Sequence, residues 1–119
     1  MKKELVAQLH HAFESIAQQD KKIEFWYARD LQKLLGYNEW RNFLLVVSKS
    51  KNACKNSKHT VEHHFVDVNK MIPLGKGGKR EVDDIKLTRY ACYLIAQNGD
   101  PRKIKSEGKK LGNIEEKNG

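Results

Sequence analysis

Hydrophobic residues recur at two different spacings along the chain, and these predict both helices and strands. In residues 4–18 apolar side chains return every three or four positions, as on one face of an amphipathic helix. Ile23, Phe25 and Tyr27 instead occupy every second position, which predicts a short strand within residues 21–28 that feeds into a helix. An α+β fold is therefore expected.

Two helices joined by a tight turn are predicted in residues 28–43, ARDLQKLLGYNEWRNF. Gly36 stands where a helix commonly ends in the left-handed conformation. Asn38 is predicted to cap the second helix, with Glu39 in its first turn. The pattern predicts a helix-turn-helix-like pair, and a corner between two core helices would give the same pattern.

The second helix, residues 39–56, has two chemically different faces. One is mainly apolar and comprises Trp40, Phe43, Val46, Val47, Ser50, Ala53 and Cys54. The other is polar and comprises Arg41, Ser48, Lys49, Asn52, Lys55 and Asn56. Solvated helix faces usually mix both signs of charge, so a polar face without a carboxylate suits phosphates and base edges. A merely solvated face is the alternative.

Four residues of this polar face are the predicted DNA contacts: Arg41, Lys49, Asn52 and Lys55. Any sequence preference would have to come from Arg41, Asn42 or Asn52.

A second basic group is predicted at the tip of a β-hairpin. Residues 61–74, VEHHFVDVNKMIPL, suggest irregular structure that becomes a strand, GKGGKR is a turn signal, and EVDDIKL can form the returning strand. The predicted phosphate contacts at the tip are Lys76, Lys79 and Arg80. A plain flexible tip is the alternative, and a winged helix-turn-helix would combine the hairpin with the helix pair.

The most apolar segment, residues 87–101, is predicted to be a core helix. Thr88 can cap it, and Asn98-Gly99 followed by Asp100-Pro101 ends it. Cys92 has no sequence-adjacent acid or base, so it is interpreted as a small buried hydrophobic residue and not as a nucleophile.

Residue types for catalysis or metal binding are poorly arranged. Cys54, His59, His63 and His64 have a spacing that could suggest zinc, but structural zinc sites usually include a second nearby cysteine. Asp83-Asp84 is interpreted as support for the hairpin, and no nucleophile motif or dinucleotide-binding fingerprint occurs. The sequence therefore predicts no catalytic residue, no metal, no cofactor and no enzyme.

The net charge of the 119 residues is +8, which favours polyanionic partners. In residues 37–60 the lysines and arginines oppose only Glu39, and residues 101–119 are also basic. A basic protein without a nucleic-acid role is the alternative. Two cysteines, a start unlike a signal peptide and no apolar stretch of the ~18 residues that a membrane span needs predict a soluble cytoplasmic protein.

Three motifs carry a family resemblance: WYARDLQKLLGYNEWRNF, ACKNSKHTVEHHF and KREVDDIKLTRYACYLIAQNGDP. In this order they resemble the N-terminal region of the bacterial DNA-damage-inducible protein D family, which is similar to the BRO-N domain of phage and large-virus proteins. In that family a strand ending near a Trp-Tyr pair leads into a helix closing in Leu-Gly-Tyr, as Trp26-Tyr27 leads to Leu35-Gly36-Tyr37. The resemblance implies a BRO-N-like α+β domain and a role near DNA, in the SOS response or in viral DNA binding.

The resemblance also implies the domain organisation. A BRO-N-like domain is expected over residues 1–100, and residues 101–119 are expected to be a basic, disordered tail because they are polar and rich in charge. Family members continue into a longer C-terminal region, so the chain is expected to be a short form that lacks it.

Two functions fit these expectations. The first is a non-enzymatic DNA-binding module of the SOS response or of phage and mobile-element regulation, which binds mainly phosphates. The second is a protein-interaction module that modulates a recombination or repair protein filament, with a homodimer as a further expectation. A nuclease would need carboxylates that only the fold brings together.

Overall fold

The computed structural model describes residues 10–100, and within this range two antiparallel hairpins share one sheet. Strand β1 (Gln18–Asp20) pairs with β2 (Ile23–Tyr27), and β3 (Phe65–Pro73) pairs with β4 (Lys79–Leu87). The hairpins join where Trp26 pairs with Leu87, so the strand order is β1-β2-β4-β3. The α+β prediction and the strand at residues 23–27 are confirmed.

Helical residues flank this sheet. They form α1 (Ala28–Leu34), α2 (Trp40–Asn56), α3 (Val61–His64) and α4 (Arg89–Asn98). Residues 10–15 are also helical, but the helix predicted for residues 4–18 gives way to β1 at Gln18. Its first part and the whole predicted tail lie outside the described residues. The predicted boundary between domain and tail therefore stays a prediction.

Trp26 lies at the centre of the core and is fully buried. Its indole N–H donates to the Phe13 carbonyl oxygen at 2.9 Å, and the two aromatic rings stack 4.4 Å apart. Arg89 covers the outer side: its guanidinium lies 5.0 Å from the Trp26 ring and is ion-paired with Glu14 and Glu24. Residues 10–15, β2 and α4 are thereby held together at one point.

The turn between α1 and α2 is partly as predicted. Gly36 has φ 82°, and α1 ends just before it. Asn38 does not cap α2, which is a correction: the helix begins at Trp40, and Glu39 at its N-cap makes no side-chain cap bond within residues 10–100. Asn38 lies one position too early for the capping role. Trp40, the first residue of the helix, packs 6.0 Å from the Phe43 ring.

The helix predicted within residues 87–101 is confirmed as α4. The Thr88 side chain accepts a hydrogen bond from the Ala91 N–H at 3.2 Å, and the helix ends at Asn98. Cys92 is buried, and burial raises the pKa of its thiol. Ala91, Leu94 and Ile95 are buried as well, so this segment is part of the core.

The hairpin of β3 and β4 is also as predicted, with one difference. Residues 61–64 form a short helical turn, and the strand begins at once at Phe65 rather than after irregular structure. Phe65 and Leu87 are buried at its base, whereas Pro73 and Lys79 are exposed at its far end. The far end of the hairpin therefore projects from the core.

A buried carboxylate joins this hairpin to α1. Asp84 Oδ1 accepts hydrogen bonds from the backbone N–H groups of Arg29 (3.1 Å) and Ile85 (2.8 Å), and its Oδ2 lies 3.8 Å from Lys70 Nζ. The N-cap residue Tyr27 makes no side-chain cap bond within the described range. Asp84 on β4 therefore supplies an acceptor that the start of α1 lacks.

Asp84→Ala is expected to lower the free energy of unfolding by about 2–3 kcal/mol, because two backbone N–H groups lose their acceptor and Lys70 loses its counter-ion. Asp83→Ala is the matched control, since Asp83 is the neighbouring carboxylate but is exposed. Its effect should stay within about 0.5 kcal/mol. Urea unfolding of both variants measures the difference, and equal losses would contradict the role assigned to Asp84.

Candidate nucleic-acid interface

The polar face predicted for α2 is a solvent-exposed surface. Its members Arg41, Ser48, Lys49, Asn52, Lys55 and Asn56 are all exposed. The opposite face carries the buried residues Phe43, Val46, Val47, Ser50 and Cys54. The two-faced arrangement is confirmed, and it brings Arg41, Lys49, Asn52 and Lys55 onto one side of one helix. We call this surface the α2 polar face.

Carboxylates are scarce around the α2 polar face. The sequence of α2 contains no Asp or Glu. Glu39, just before the helix, lies 3.6 Å from the Arg41 guanidinium, and both side chains are largely exposed. An exposed ion pair of this kind contributes little, so Arg41 can exchange Glu39 for another anion.

Leu45 also lies on the α2 polar face, and the sequence reasoning missed it. Its side chain is 62% exposed. It follows Arg41 by four positions and precedes Lys49 by four, so the three side chains occupy one stripe of the helix. The signal was present in the helical spacing, because four residues bring a side chain back to within about 40° of its starting direction.

The hairpin tip forms a separate basic group. Lys76 lies in the turn, where Gly77 and Gly78 have positive φ, and Lys79 and Arg80 lie at the start of β4. All three cationic residues are exposed. Since neighbouring residues of a strand point to opposite faces, Lys79 and Arg80 project in opposite directions.

The two basic groups are not brought together in the fold. Trp40, at the start of α2, lines a cleft of about 620 Å³ with Asp83 at the middle of the hairpin. The other end of α2 packs near α3, which leads into the hairpin base. The tip extends four residues past Asp83, about 13 Å, while α2 runs the other way. Within residues 10–100, no hydrogen bond or ion pair joins the two groups.

The histidines next to α2 belong to a packed cluster. His64 Nδ1 lies 2.6 Å from Thr88 Oγ1, and the rings of His59 and His64 lie 4.5 and 5.0 Å from the Tyr90 ring. Cys54 is buried, and burial raises the pKa of its thiol. In residues 10–100, no three His, Cys, Asp or Glu side chains are placed to hold a metal ion.

Burial, followed by the charges of His59 and His63, lowers the pKa of His64 below its ordinary 6.5. The unfolded chain therefore takes up this proton at a higher pH than the folded chain does. The free energy of unfolding is expected to be at its full value above about pH 6.5 and to fall as the pH drops towards the lowered pKa.

His64→Gln is expected to flatten this decline when urea unfolding is followed between pH 7.5 and pH 5. His11→Gln, at an exposed histidine, serves as the matched control and should keep the decline. A decline of unchanged size in His64→Gln would assign the pH dependence to other groups.

A membrane-spanning role finds no support in the described helices, of which none has the length and apolar character to cross a bilayer.

Comparison with known proteins places these features in a family. The family model described as "BRO family, N-terminal domain" matches residues 15–110. The chain is 52% identical over 80 residues to "DNA damage-inducible protein D" of Escherichia coli (strain K12), an alignment that covers 67% of this chain and 29% of that protein. The aligned part is thus less than a third of the relative. No solved structure matches significantly.

Proposed function

The chain belongs to the BRO family, whose N-terminal domain it matches over residues 15–110. On that premise we propose that it is a non-enzymatic DNA-binding module. The α2 polar face is the main contact surface. Lys49 and Lys55 neutralise backbone phosphates, and Asn52 donates a hydrogen bond to a phosphate oxygen. Binding is then mostly electrostatic and falls steeply with salt.

The observation that carries this proposal is the α2 polar face itself. It presents three cations, Arg41, Lys49 and Lys55, without an acidic residue anywhere along the helix. A polyanion meets no carboxylate along the helix itself, and Glu39 stands only at its start, beside Arg41. A solvated helix of ordinary composition would mix both signs of charge. The buried opposite face anchors the helix to the core, so the cations are presented on a rigid element.

The hairpin tip serves as a second and separate phosphate contact in this proposal. Lys76, Lys79 and Arg80 are exposed on an arm that projects from the core. Positive φ at Gly77 and Gly78 keeps the turn narrow, which allows close approach to a phosphate backbone. The arm would act as the wing of a winged helix-turn-helix, touching the duplex away from α2.

The proposal assigns no catalytic residue. Burial raises the pKa of both thiols, Cys54 and Cys92, which makes them poor nucleophiles. The name of the relative, "DNA damage-inducible protein D", supports a role in the response to DNA damage. In this proposal that role belongs to the SOS response or to regulation of a phage or mobile element. Cys54 and Cys92 form no disulfide, as is usual in the reducing cytoplasm, and the proposal places the protein there with the chromosomal DNA.

A second candidate function, a protein-interaction module, is favoured by the outer edge of β3. This strand is at the edge of the sheet, and Val66 and Met71 on it are exposed. Edge strands can pair with a strand of another chain, either a repair or recombination protein or a second copy. Binding to a recombinase filament but not to naked DNA would favour the first partner, and a dimer in analytical ultracentrifugation would favour the second.

Fluorescence anisotropy with a labelled duplex, measured over a series of salt concentrations, tests DNA binding. The double charge reversal Lys49→Glu, Lys55→Glu is expected to abolish most binding at low salt. In the variant the slope of log affinity against log salt should be smaller by about 2, one for each lost phosphate contact.

Lys21→Glu with Lys22→Glu is the matched control. It changes the net charge by the same amount, but it lies in the β1–β2 turn, at the sheet edge opposite to β3. This control should keep most of the affinity. If both double variants lose affinity equally, only the total charge matters, and the α2 polar face is not the binding surface.

A further inference from the structure

Leu45 is an exposed apolar side chain in a basic setting. It is 62% exposed, and it stands between Arg41 and Lys49 in one stripe of α2. Leu44, the preceding residue, is half-buried against the core, so Leu45 is not required to fill space there. Contact between Leu45 and an apolar group of the ligand bound by Arg41 and Lys49 would remove apolar surface from water, which is favourable.

The stripe fits a DNA groove when the helix lies lengthwise in it. A helix with its side chains is about 10–12 Å across, and the major groove of B-DNA is about 12 Å wide. Arg41, Leu45 and Lys49 lie within about 80° of one another around the helix, so the three side chains face the floor of the groove together. The long side chains of Arg41 and Lys49 can reach the phosphates at the rims.

One base presents an apolar group on that floor. The C5-methyl of thymine is the hydrophobic feature of the major groove, and aliphatic side chains contact it. We propose that Leu45 contacts the thymine methyl group, so that the α2 polar face prefers thymine-containing duplexes. This inference rests on the proposed DNA binding. Glu39 supports Arg41 in the free protein and is exchanged for a phosphate on binding.

The test isolates the methyl group. Wild type and Leu45→Ala are titrated with an alternating A·T duplex and with the same duplex carrying uracil in place of thymine. A second pair compares an alternating G·C duplex with and without 5-methylcytosine, whose methyl group occupies the same place in the groove.

Wild type is expected to bind each methylated duplex about fourfold more tightly than its unmethylated counterpart, the gain from removing one methyl-sized group from water. Leu45→Ala should bind both members of each pair equally, at the affinity that wild type has for the unmethylated one. Ile23→Ala, another exposed apolar residue but on β2, should keep the wild-type difference.

Equal affinity of wild type for thymine and uracil duplexes would overturn the contact while leaving the charge-reversal result, and hence DNA binding, intact. A Leu45→Ala variant that loses affinity for all duplexes by the same factor would also overturn it. Failure of wild type to bind any duplex at low salt would overturn both proposals.

Discussion

The arrangement of this domain depends on the contacts that the buried carboxylate of Asp84 makes with α1 and with β3. Asp84 accepts the backbone N–H of Arg29 at the start of α1 and stands beside Lys70 of the facing strand. Removing a carboxylate from water is costly, and two hydrogen bonds at Oδ1 and the nearby Lys70 offset part of that cost, while Oδ2 has no hydrogen-bond partner within the described residues. The contacts of Asp84 therefore fix the position of the start of α1 relative to the hairpin, and they also stabilise α1.

The position of the candidate interface follows from these contacts of Asp84. Arg29 is held at the start of α1, donates to the Asp83 carbonyl oxygen at 2.6 Å and lies 4.2 Å above the Trp40 ring. The first residue of α2 is thus anchored beside the middle of the hairpin, and the turn at Gly36 brings α2 across the core. Once Phe43 and Val47 are buried, the opposite face of α2 must point to solvent.

The two basic groups therefore have different mechanical properties. The α2 polar face sits on a helix packed against α4, so its side chains keep a defined spacing. The hairpin tip extends beyond Val82, the buried residue of β4 nearest to it, and its residues 74–80 are exposed in the described structure. A rigid face suits a fixed groove, whereas an arm suits a phosphate backbone whose position varies.

Helical and strand spacing in the sequence by itself determined the strand at residues 23–27, the two faces of α2, the hairpin and the capped helix α4. Local chemistry also determined the glycine turn at Gly36 and the cap at Thr88. Only the tertiary structure decided that Asp84 accepts the backbone N–H of Arg29 at the start of α1. It also separated the hairpin tip from α2. These features depend on contacts between residues far apart in the chain, such as Asp84 with Arg29, whereas a periodic pattern reports only which side of one element faces the core.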